Sequence, residues 1–445
     1  MTDSVLVIGS GIAGLTAALQ CAEAGARVTI VERDAVIGGK MAAAIATKSS
    51  VGSGIDGVPV PKINQIEGAN SIEAITLGNL QSIEGKPGLF DVAIRERSRF
   101  VTDACTRCGH CKPACPVPLP NEFDAGLTYR KAIYSPLVEC YPKAWVIDID
   151  SCLNTPPNYL PCNRCTEVCE DDAIHFDLPL ETIHERRVGA VIVATGVDIV
   201  TRAAEEIGFG AHPDIVTTAE MERLLTAPGP TGGFAAKPSD EDYPESALFV
   251  LDDLADLALH TAASQLRRLA EQDVATLGLL VTTQPSDDEV AKLQQSVPAG
   301  VTISSGFLKK LEGTEDSGIR VSYAEFTSNQ VPEQYYDMVV IGTDTQPAEG
   351  TAELAALLGA EVDDDGYISA TPEGVYAVGG ACRPTVLAET VSEAKTAAAD
   401  ALRHLDSRHL NIAPAADEDR PPGLSEEALQ AHLEHALHSI LNRAN

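Results

Sequence analysis

The sequence predicts an α/β protein with two regions of parallel sheet and a cysteine-rich α+β module inserted into the first region. Residues 5–33 show the pattern of a strand, a glycine-rich turn, a helix and a second strand. Residues 246–340 repeat this alternation of strands and helices, which is typical of parallel sheets. Between these regions, eight of the eleven cysteines form two groups of four, at 105–115 and 152–169.

The composition is that of an ordinary α/β chain and excludes several classes of partner. A chain of 445 residues, 44% of them hydrophobic, is long enough for more than one buried core. The formal net charge of −33 opposes binding to nucleic acid or to an anionic membrane, because like charges repel. No apolar run reaches the roughly 18 residues of a spanning helix, so no membrane insertion is predicted. Clustered cysteines and a start without signal-peptide character lead us to expect a cytoplasmic protein.

The first βαβ unit predicts a dinucleotide site. The apolar strand Val5–Ile8 leads into Gly9, Gly11 and Gly14, which form a GxGxxG turn before a helix. In such a turn the first glycine permits the bend and the second lets backbone N–H groups reach a pyrophosphate. The third lets the helix pack on the strand. Glu32 ends the next strand, where a carboxylate accepts hydrogen bonds from a ribose hydroxyl.

Three further segments favour FAD as the dinucleotide. The segment IGGKMA (37–42) is similar to the second glycine pair of two-dinucleotide-binding flavoproteins. The buried strand GAVIVATG (189–196) and the segment GVYAVGGA (374–381), which precedes a helix expected over 385–402, fit the same cofactor. The predicted FAD-contacting residues are Gly9, Gly11, Ile12, Ala13, Gly14, Glu32, Arg33, Gly39, Lys40, Met41, Leu80, Ala194, Thr195, Gly196, Gly379, Gly380, Thr390 and Val391.

The first cysteine group predicts a [4Fe–4S] cluster. Cys105, Cys108, Cys111 and Cys115, with Pro116, have the spacing C-x2-C-x2-C-x3-C-P of bacterial ferredoxins. In that arrangement three thiolates hold one cube, and the fourth is a ligand of the neighbouring cluster. Zinc is the alternative metal, although zinc sites favour paired CxxC knuckles.

The second cysteine group is less regular. Its members are Cys152, Cys162, Cys165 and Cys169, with a long first gap and with Glu170 in place of the usual proline. If the fourth ligands are exchanged between groups, the predicted ligand sets are Cys105, Cys108, Cys111 and Cys169 for one cluster, and Cys115, Cys152, Cys162 and Cys165 for the other. The alternative is a degenerate arm and a chain with one cluster.

The second αβ region lacks a phosphate-binding turn. Its first strand leads into VLDDLADLALH (250–260), which contains no glycine. The side chains of Asp252, Asp253 and Asp256 obstruct the approach of a pyrophosphate and repel its charge. We therefore expect neither NADH nor NADPH to reduce the chain rapidly.

These features divide the chain into six segments. The predicted segments are three parts of an FAD-binding domain at 1–100, 178–235 and 336–405, a ferredoxin-like insert at 101–177, a degenerate NAD-binding-like domain at 236–335, and a linker with a C-terminal helix at 406–445. Leucines four residues apart in 425–441 suit either a docking helix for a partner or packing on the chain's own domain.

The combination of motifs resembles the A subunits of heterodisulfide reductases and the related A subunits of quinone-interacting oxidoreductase complexes. GSGIAGL (9–15), IGGKMA, the segment 105–134, CEDDAIHFD (169–177) and GVYAVGGAC (374–382) carry the resemblance. It implies a two-dinucleotide-binding-domain flavoprotein, similar to thioredoxin reductase, with a bacterial-ferredoxin-like insert. Longer family members have a further cysteine-rich segment after the strand at 247–251, which this chain lacks. Electron bifurcation is therefore not part of the expectation.

The resemblance implies an oxidoreductase component with FAD and two [4Fe–4S] clusters, active in sulfur or anaerobic energy metabolism. The cofactors carry the chemistry by converting electron pairs into single electrons, so no catalytic side chain is predicted. The implied partners are proteins similar to the B and C subunits, or a membrane-associated quinone-reactive subunit, and a homodimer is also compatible. Two alternatives are a self-sufficient NAD(P)H:acceptor oxidoreductase and a non-catalytic assembly subunit that holds the cofactors only as structure.

Overall fold

The computed structural model describes residues 2–40, 59–137, 140–201, 207–227, 229–252, 254, 256–314, 318–328 and 331–405. These residues belong to one unit, which extends from Met1 to Leu410. Met41 and the C-terminal segment 406–445, with its expected helix, lie outside the described residues.

Strands and helices alternate through most of this unit. The described strands are β1 Ser4–Ile8, β2 Arg27–Val31, β3 Ile72–Ile75, β4 Gly78–Lys86, β5 Leu89–Arg97, β6 Pro118–Pro120, β7 Tyr129–Lys131, β8 Ile133–Tyr134, β9 Val146–Ile147, β10 Glu181–Val188, β11 Ala190–Val193, β12 Val197–Val200, β13 Ile215–Thr217, β14 Ser246–Leu251, β15 Thr276–Val281, β16 Thr302–Gly313, β17 Ile319–Glu325, β18 Glu333–Tyr336, β19 Met338–Ile341, β20 Asp344–Pro347, β21 Glu361–Val362, β22 Ile368–Ala370 and β23 Val375–Ala377. The described α-helices are α1 Ile12–Glu23, α2 Pro59–Glu67, α3 Cys111–Ala114, α4 Arg164–Glu167, α5 Thr218–Leu224, α6 Asp256–Glu271, α7 Asp287–Ser296, α8 Thr351–Leu358 and α9 Leu387–Leu402.

The first sheet is parallel, with the strand order β23-β11-β1-β2-β3. Every residue of β1 is buried, because the sheet is covered on both faces, as parallel sheets usually are. Helices α1 and α9 contribute to the core on one face, while β5 and α8 contribute to the core on the other. The glycine turn after β1 and the ends of β11 and β23 lie at the carboxyl edge of this sheet, where open α/β sheets bind ligands.

The second sheet has the order β13-β19-β14-β15-β16-β17-β18. Its strands are parallel from β13 to β16 and antiparallel from β16 to β18. The antiparallel pair of β12 and β20 forms the connections between the two sheets. The predicted α/β class with two parallel-sheet units is therefore confirmed.

The second sheet includes strands that lie outside the predicted segment 236–335 or that the sequence patterns do not reveal. β13 and β19 pair within it, although the predicted division of the chain places them in segments 178–235 and 336–405. β16 runs over 12 residues, and β17 and β18 are strands that the sequence patterns do not indicate. A register shift between Leu308 and Lys310 interrupts the two-residue alternation by which such strands are recognised.

The cysteine-rich insert contains the short pairs β6-β7 and β8-β9 around its own core. Cysteine side chains form part of this core, together with Phe100, Ile133, Ile147 and Ile174. The predicted ferredoxin-like architecture of the insert stays a prediction. Its position is fixed in part by Arg99, which donates to the carbonyl oxygen of Ala144 within the insert and to that of Ala35 next to the first sheet.

A buried ion pair attaches the insert to the second sheet region. Asp124 accepts from Arg223 of α5 at 2.8 Å, and the two side chains are 15% and 9% exposed. The other carboxylate oxygen of Asp124 accepts from Asn121 Nδ2 and from Thr128 Oγ1, both at 2.6 Å. One side chain therefore both orders the turn at 121–128 and docks it on α5.

Asp124→Ala should destabilise the protein by about 3 kcal/mol, because breaking a buried ion pair leaves a buried charge without its partner. Urea unfolding under anaerobic conditions measures the change. Asp150→Ala is the control, since it removes an ion pair with Arg97 in which the carboxylate is 72% exposed, and exposed pairs contribute little. Equal effects of the two substitutions would contradict the proposed docking role.

Candidate functional site

The turn after β1 is fixed by two glycines that admit no side chain. Gly9 has a φ of +95°, and a Cβ on it would lie 2.3 Å from the carbonyl oxygen of Ala194. A Cβ on Gly14 would lie 1.9 Å from the carbonyl oxygen of Gly9. Because neither position carries a side chain, the turn, α1 and the end of β11 can pack closely together, as the predicted motif requires.

Gly11 differs from its two neighbours in the motif because the space beside it is open. A Cβ on Gly11 would meet no atom of the described residues within 4 Å, and its φ of −66° suits any residue. Gly39 faces it from the second glycine segment, since a Cβ on Gly39 would lie 2.9 Å from Gly11 Cα. The open side of Gly11, at the N-terminus of α1, is where the sequence predicts a pyrophosphate.

Two later segments meet the same edge of the sheet. A Cβ on Gly380 would lie 3.0 Å from Gly196 Cα, and one on Gly379 would lie 3.1 Å from Thr390 Cγ2. The hydroxyl oxygen of Thr195 is buried and has no hydrogen-bond partner among the described residues. Buried polar atoms normally have a partner, so this hydroxyl fits a polar ligand at the predicted FAD-contacting segment.

Glu32 is held by Ser10, which the sequence motifs do not identify. The Glu32 carboxylate is buried and accepts from the backbone N–H of Ser10 at 2.8 Å and from its hydroxyl. The other oxygen accepts from the N–H of Asp34 at 2.9 Å. Burial, and then the charge of Asp34, raise the pKa of Glu32. Ser10 also accepts from Gly38 N–H, so it joins both glycine segments to the carboxylate.

Arg33 and Lys40 converge on Asp198, a residue of β12. Asp198 Oδ1 lies 2.9 Å from Arg33 Nη2 and 2.5 Å from Lys40 Nζ, and Oδ2 accepts from the N–H of Glu349. Burial opposes ionisation of Asp198, but the hydrogen bonds and charges of its partners outweigh it, and its pKa is lowered. We name as the glycine edge the carboxyl edge of the first sheet, where Gly11, Gly39, Gly196 and Gly380 lie. Through Asp198, Arg33 and Lys40 link this edge to the connection between the two sheets.

The remaining predicted FAD-contacting residues lie on α1, α9 and β4. Ile12 and Ala13 are buried in the first turn of α1, and Val391 is half-buried on α9 next to Thr390. Leu80 lies on β4 and packs against the core on the other face of the sheet.

Glu393 is a second residue that the sequence motifs do not identify. The sequence has Gly380 where the wider flavoprotein group usually has an aspartate. Glu393 of α9 approaches this segment and accepts from the N–H of Gly379 at 2.9 Å. It also pairs with Arg383 at 2.5 Å. The signal in the sequence is an acidic residue one helical turn after Thr390.

Eight of the nine cysteines of the insert line two cavities. We name as the first thiol cavity the one lined by Cys105, Cys108, Cys111 and Cys169. The second thiol cavity is the one lined by Cys115, Cys152, Cys162 and Cys165. The structure thus brings together the same two sets of thiols that an exchange of fourth ligands predicts.

The surroundings of the thiols are largely apolar. Burial raises the pKa of Cys111 to about 12 and that of Cys165 to about 11, so these two thiols hold their protons without metal, and metal binding displaces them. Four thiolates at each cavity fit the ligand set of an iron–sulfur cluster. Among the described residues, no three His, Cys, Asp or Glu side chains converge on the position of a single metal ion.

The turn after β14 carries the acidic residues of the second αβ region. Asp252 is exposed directly after the strand, while Asp253 and the side chain of Asp256 lie outside the described part of the chain. The expected exclusion of NAD(P)H from this turn stays a prediction. None of the described helices has the length and apolar character of a membrane-spanning segment.

The sequence matches a family profile and several characterised relatives. The family described as FAD binding domain matches residues 4–60. The iron-sulfur A subunit of the CoB–CoM heterodisulfide reductase of Methanocaldococcus jannaschii is 29% identical, over 89% of this chain and 63% of that protein. The corresponding iron-sulfur A subunit of Methanopyrus kandleri is 32% identical, over 90% of this chain and 63% of that protein.

Another relative and a solved structure are also similar to the chain. The A subunit of the H(2):CoB-CoM heterodisulfide,ferredoxin reductase of Methanothermobacter thermautotrophicus is 29% identical, over 93% of this chain and 65% of that protein. Thioredoxin reductase of Lactococcus lactis aligns with a TM-score of 0.49 at 16% identity, over 90% of this chain and 98% of that one. The chain therefore spans somewhat less than two thirds of the length of these heterodisulfide reductase subunits. The resemblance predicted from the motifs is confirmed: over about nine-tenths of its length, the chain is similar to the A subunits of heterodisulfide reductases.

Proposed function

We propose that the chain is an FAD and [4Fe–4S] electron-transfer subunit of a redox complex similar to heterodisulfide reductase or to a quinone-interacting oxidoreductase. The observation that carries the proposal is the occurrence of two four-thiol cavities in the same unit as the glycine turn. A bound flavin exchanges electrons as pairs or singly, whereas a cubane cluster exchanges one at a time.

The residues of the glycine edge have distinct roles in this proposal. The open side of Gly11 and the N-terminus of α1 receive the pyrophosphate, since backbone N–H groups and the helix dipole favour a negative charge there. Glu32 keeps one oxygen with a single hydrogen bond, to Asp34 N–H, and this oxygen can accept from a ribose hydroxyl. The buried hydroxyl of Thr195 supplies a polar contact for the flavin end.

Other proteins of the complex supply and remove the electrons in this proposal. The relatives are named as A subunits of heterodisulfide reductases, which supports partners similar to the B and C subunits, or a quinone-reactive subunit. Metal-binding thiols persist in reducing compartments, which supports a location in the cytoplasm. The acidic turn at Asp252 weighs against a self-sufficient NAD(P)H oxidoreductase.

Gly11→Val should abolish FAD binding without disturbing the fold. The valine side chain would occupy the pyrophosphate volume, while the structure places no atom within 4 Å of its Cβ. We expect purified Gly11→Val to lose its flavin absorbance and to keep the circular dichroism of the parent. Gly68→Val is the control. Gly68 is far from the glycine motif in the sequence, and its Cβ would make an ordinary van der Waals contact at 3.6 Å. Retention of FAD by Gly11→Val, or FMN in the parent protein, would refute this assignment.

Anaerobically prepared protein should contain about eight iron and eight sulfide ions per chain, because two cubanes hold that number. Cys105→Ser should remove the cluster of the first thiol cavity and Cys152→Ser that of the second, each with loss of about half the iron and of a distinct electron paramagnetic resonance signal. Cys382→Ser, outside both cavities, is the control and should change neither. A parent with four irons that is insensitive to Cys152→Ser would show that the second group binds no cluster. Zinc in place of iron would refute electron transfer through the insert.

A further inference from the structure

Trp145 has a buried donor that lacks a partner. It is the one tryptophan of the sequence, it is 9% exposed, and it lines the first thiol cavity. Its indole Nε1 is buried and makes no hydrogen bond with any residue that the structure describes. Buried indole N–H groups usually find an acceptor, so this donor indicates an acceptor that binds in the cavity.

The orientation of the indole narrows the choice of acceptor. A Cβ on Gly109 would lie 3.7 Å from Cζ2 of Trp145, and Cζ2 is bonded to the ring carbon that carries Nε1. Gly109 stands between Cys108 and Cys111 in the cysteine loop. The edge of the indole near its N–H therefore faces the loop whose thiols line the cavity. Sulfur atoms are the acceptors that this loop offers, while Asp171, which also lines the cavity, accepts from Thr106.

We propose that the Trp145 Nε1–H donates a hydrogen bond to a sulfur atom of the cluster in the first thiol cavity and raises the reduction potential of that cluster. The acceptor is a ligand thiolate or a bridging sulfide. Reduction adds negative charge to the cluster, so a hydrogen bond to its sulfur stabilises the reduced state more than the oxidised state. This inference rests on the proposed function, because it requires a cluster in the first thiol cavity.

The segment that carries Trp145 also contacts the loop that leads to Gly38 and Gly39. The carbonyl oxygen of Tyr141 accepts from the N–H of Ile37 at 2.9 Å, directly before Gly38 and Gly39. Arg99 links the carbonyl oxygen of Ala144 with that of Ala35. A single short segment, 141–145, thus joins the first thiol cavity to the predicted flavin site.

Trp145→Phe is the direct test, since phenylalanine keeps an aromatic ring and removes the N–H donor. We expect redox titrations followed by electron paramagnetic resonance to show a lower midpoint for the first cluster only. The expected change is about tenfold in the ratio of reduced to oxidised cluster at a fixed potential, or about 59 mV for a one-electron couple. Phe176→Leu is the control: Phe176 lines the second thiol cavity, and its replacement should leave the first midpoint unchanged. An unchanged first midpoint in Trp145→Phe overturns the inference.

A second measurement needs no substitution. Because the sequence has one tryptophan, labelling with 15N-indole tryptophan marks Nε1 alone. Electron–nuclear double resonance of the reduced protein should show a 15N coupling and an exchangeable proton coupling to the first cluster. A reduced first cluster without either coupling overturns the inference and leaves the proposed function intact. If the iron content is insensitive to Cys105→Ser, the first cluster itself is absent, and the proposed function fails with the inference.

Discussion

The insert depends on one constraint, which is that the last cysteine of each group lines the cavity of the other group. Cys115 lies with the second group and Cys169 with the first. Cys115 caps the single turn of α3, which begins at Cys111, yet the two thiols line different cavities. On the other arm, Cys165 of α4 and Cys169 are divided in the same way. Each cavity therefore takes three thiols from one group and one from the other, so neither cysteine group lines a cavity alone.

The insert is attached to both sheets, as the proposed electron transfer requires. Arg99 and the Tyr141 carbonyl tie the insert to the loop before Gly38, and Asp124 ties it to α5 through Arg223. Electron transfer between cofactors needs fixed separations, which mobile segments do not supply. At these junctions the guanidinium groups of Arg99 and Arg223 donate to carbonyl and carboxylate oxygens.

The sequence is informative where a function depends on local spacing. The glycines of the first turn and the cysteines of the first group are recognisable because each residue acts within a few positions of the next. Ser10, Asp198, Glu393 and Trp145 escape sequence reasoning because their roles arise from contacts between distant segments: Asp198, for example, is 158 positions from Lys40, which it binds. The strands after β16 are hidden for a different reason, since the register shift at Leu308 breaks the alternation that identifies a strand.

The order in which the cofactors are reduced tests the account most directly. Anaerobic protein is mixed with a low-potential one-electron donor, or separately with millimolar NADH, and the cluster signals and flavin absorbance are followed by rapid freezing and stopped flow. The account predicts that the one-electron donor reduces the clusters before the flavin, and that NADH reduces neither rapidly, because the turn at Asp252 has no glycine and repels a pyrophosphate. Rapid flavin bleaching that saturates at micromolar NADH, or flavin reduction that is equally fast without the clusters, would contradict it.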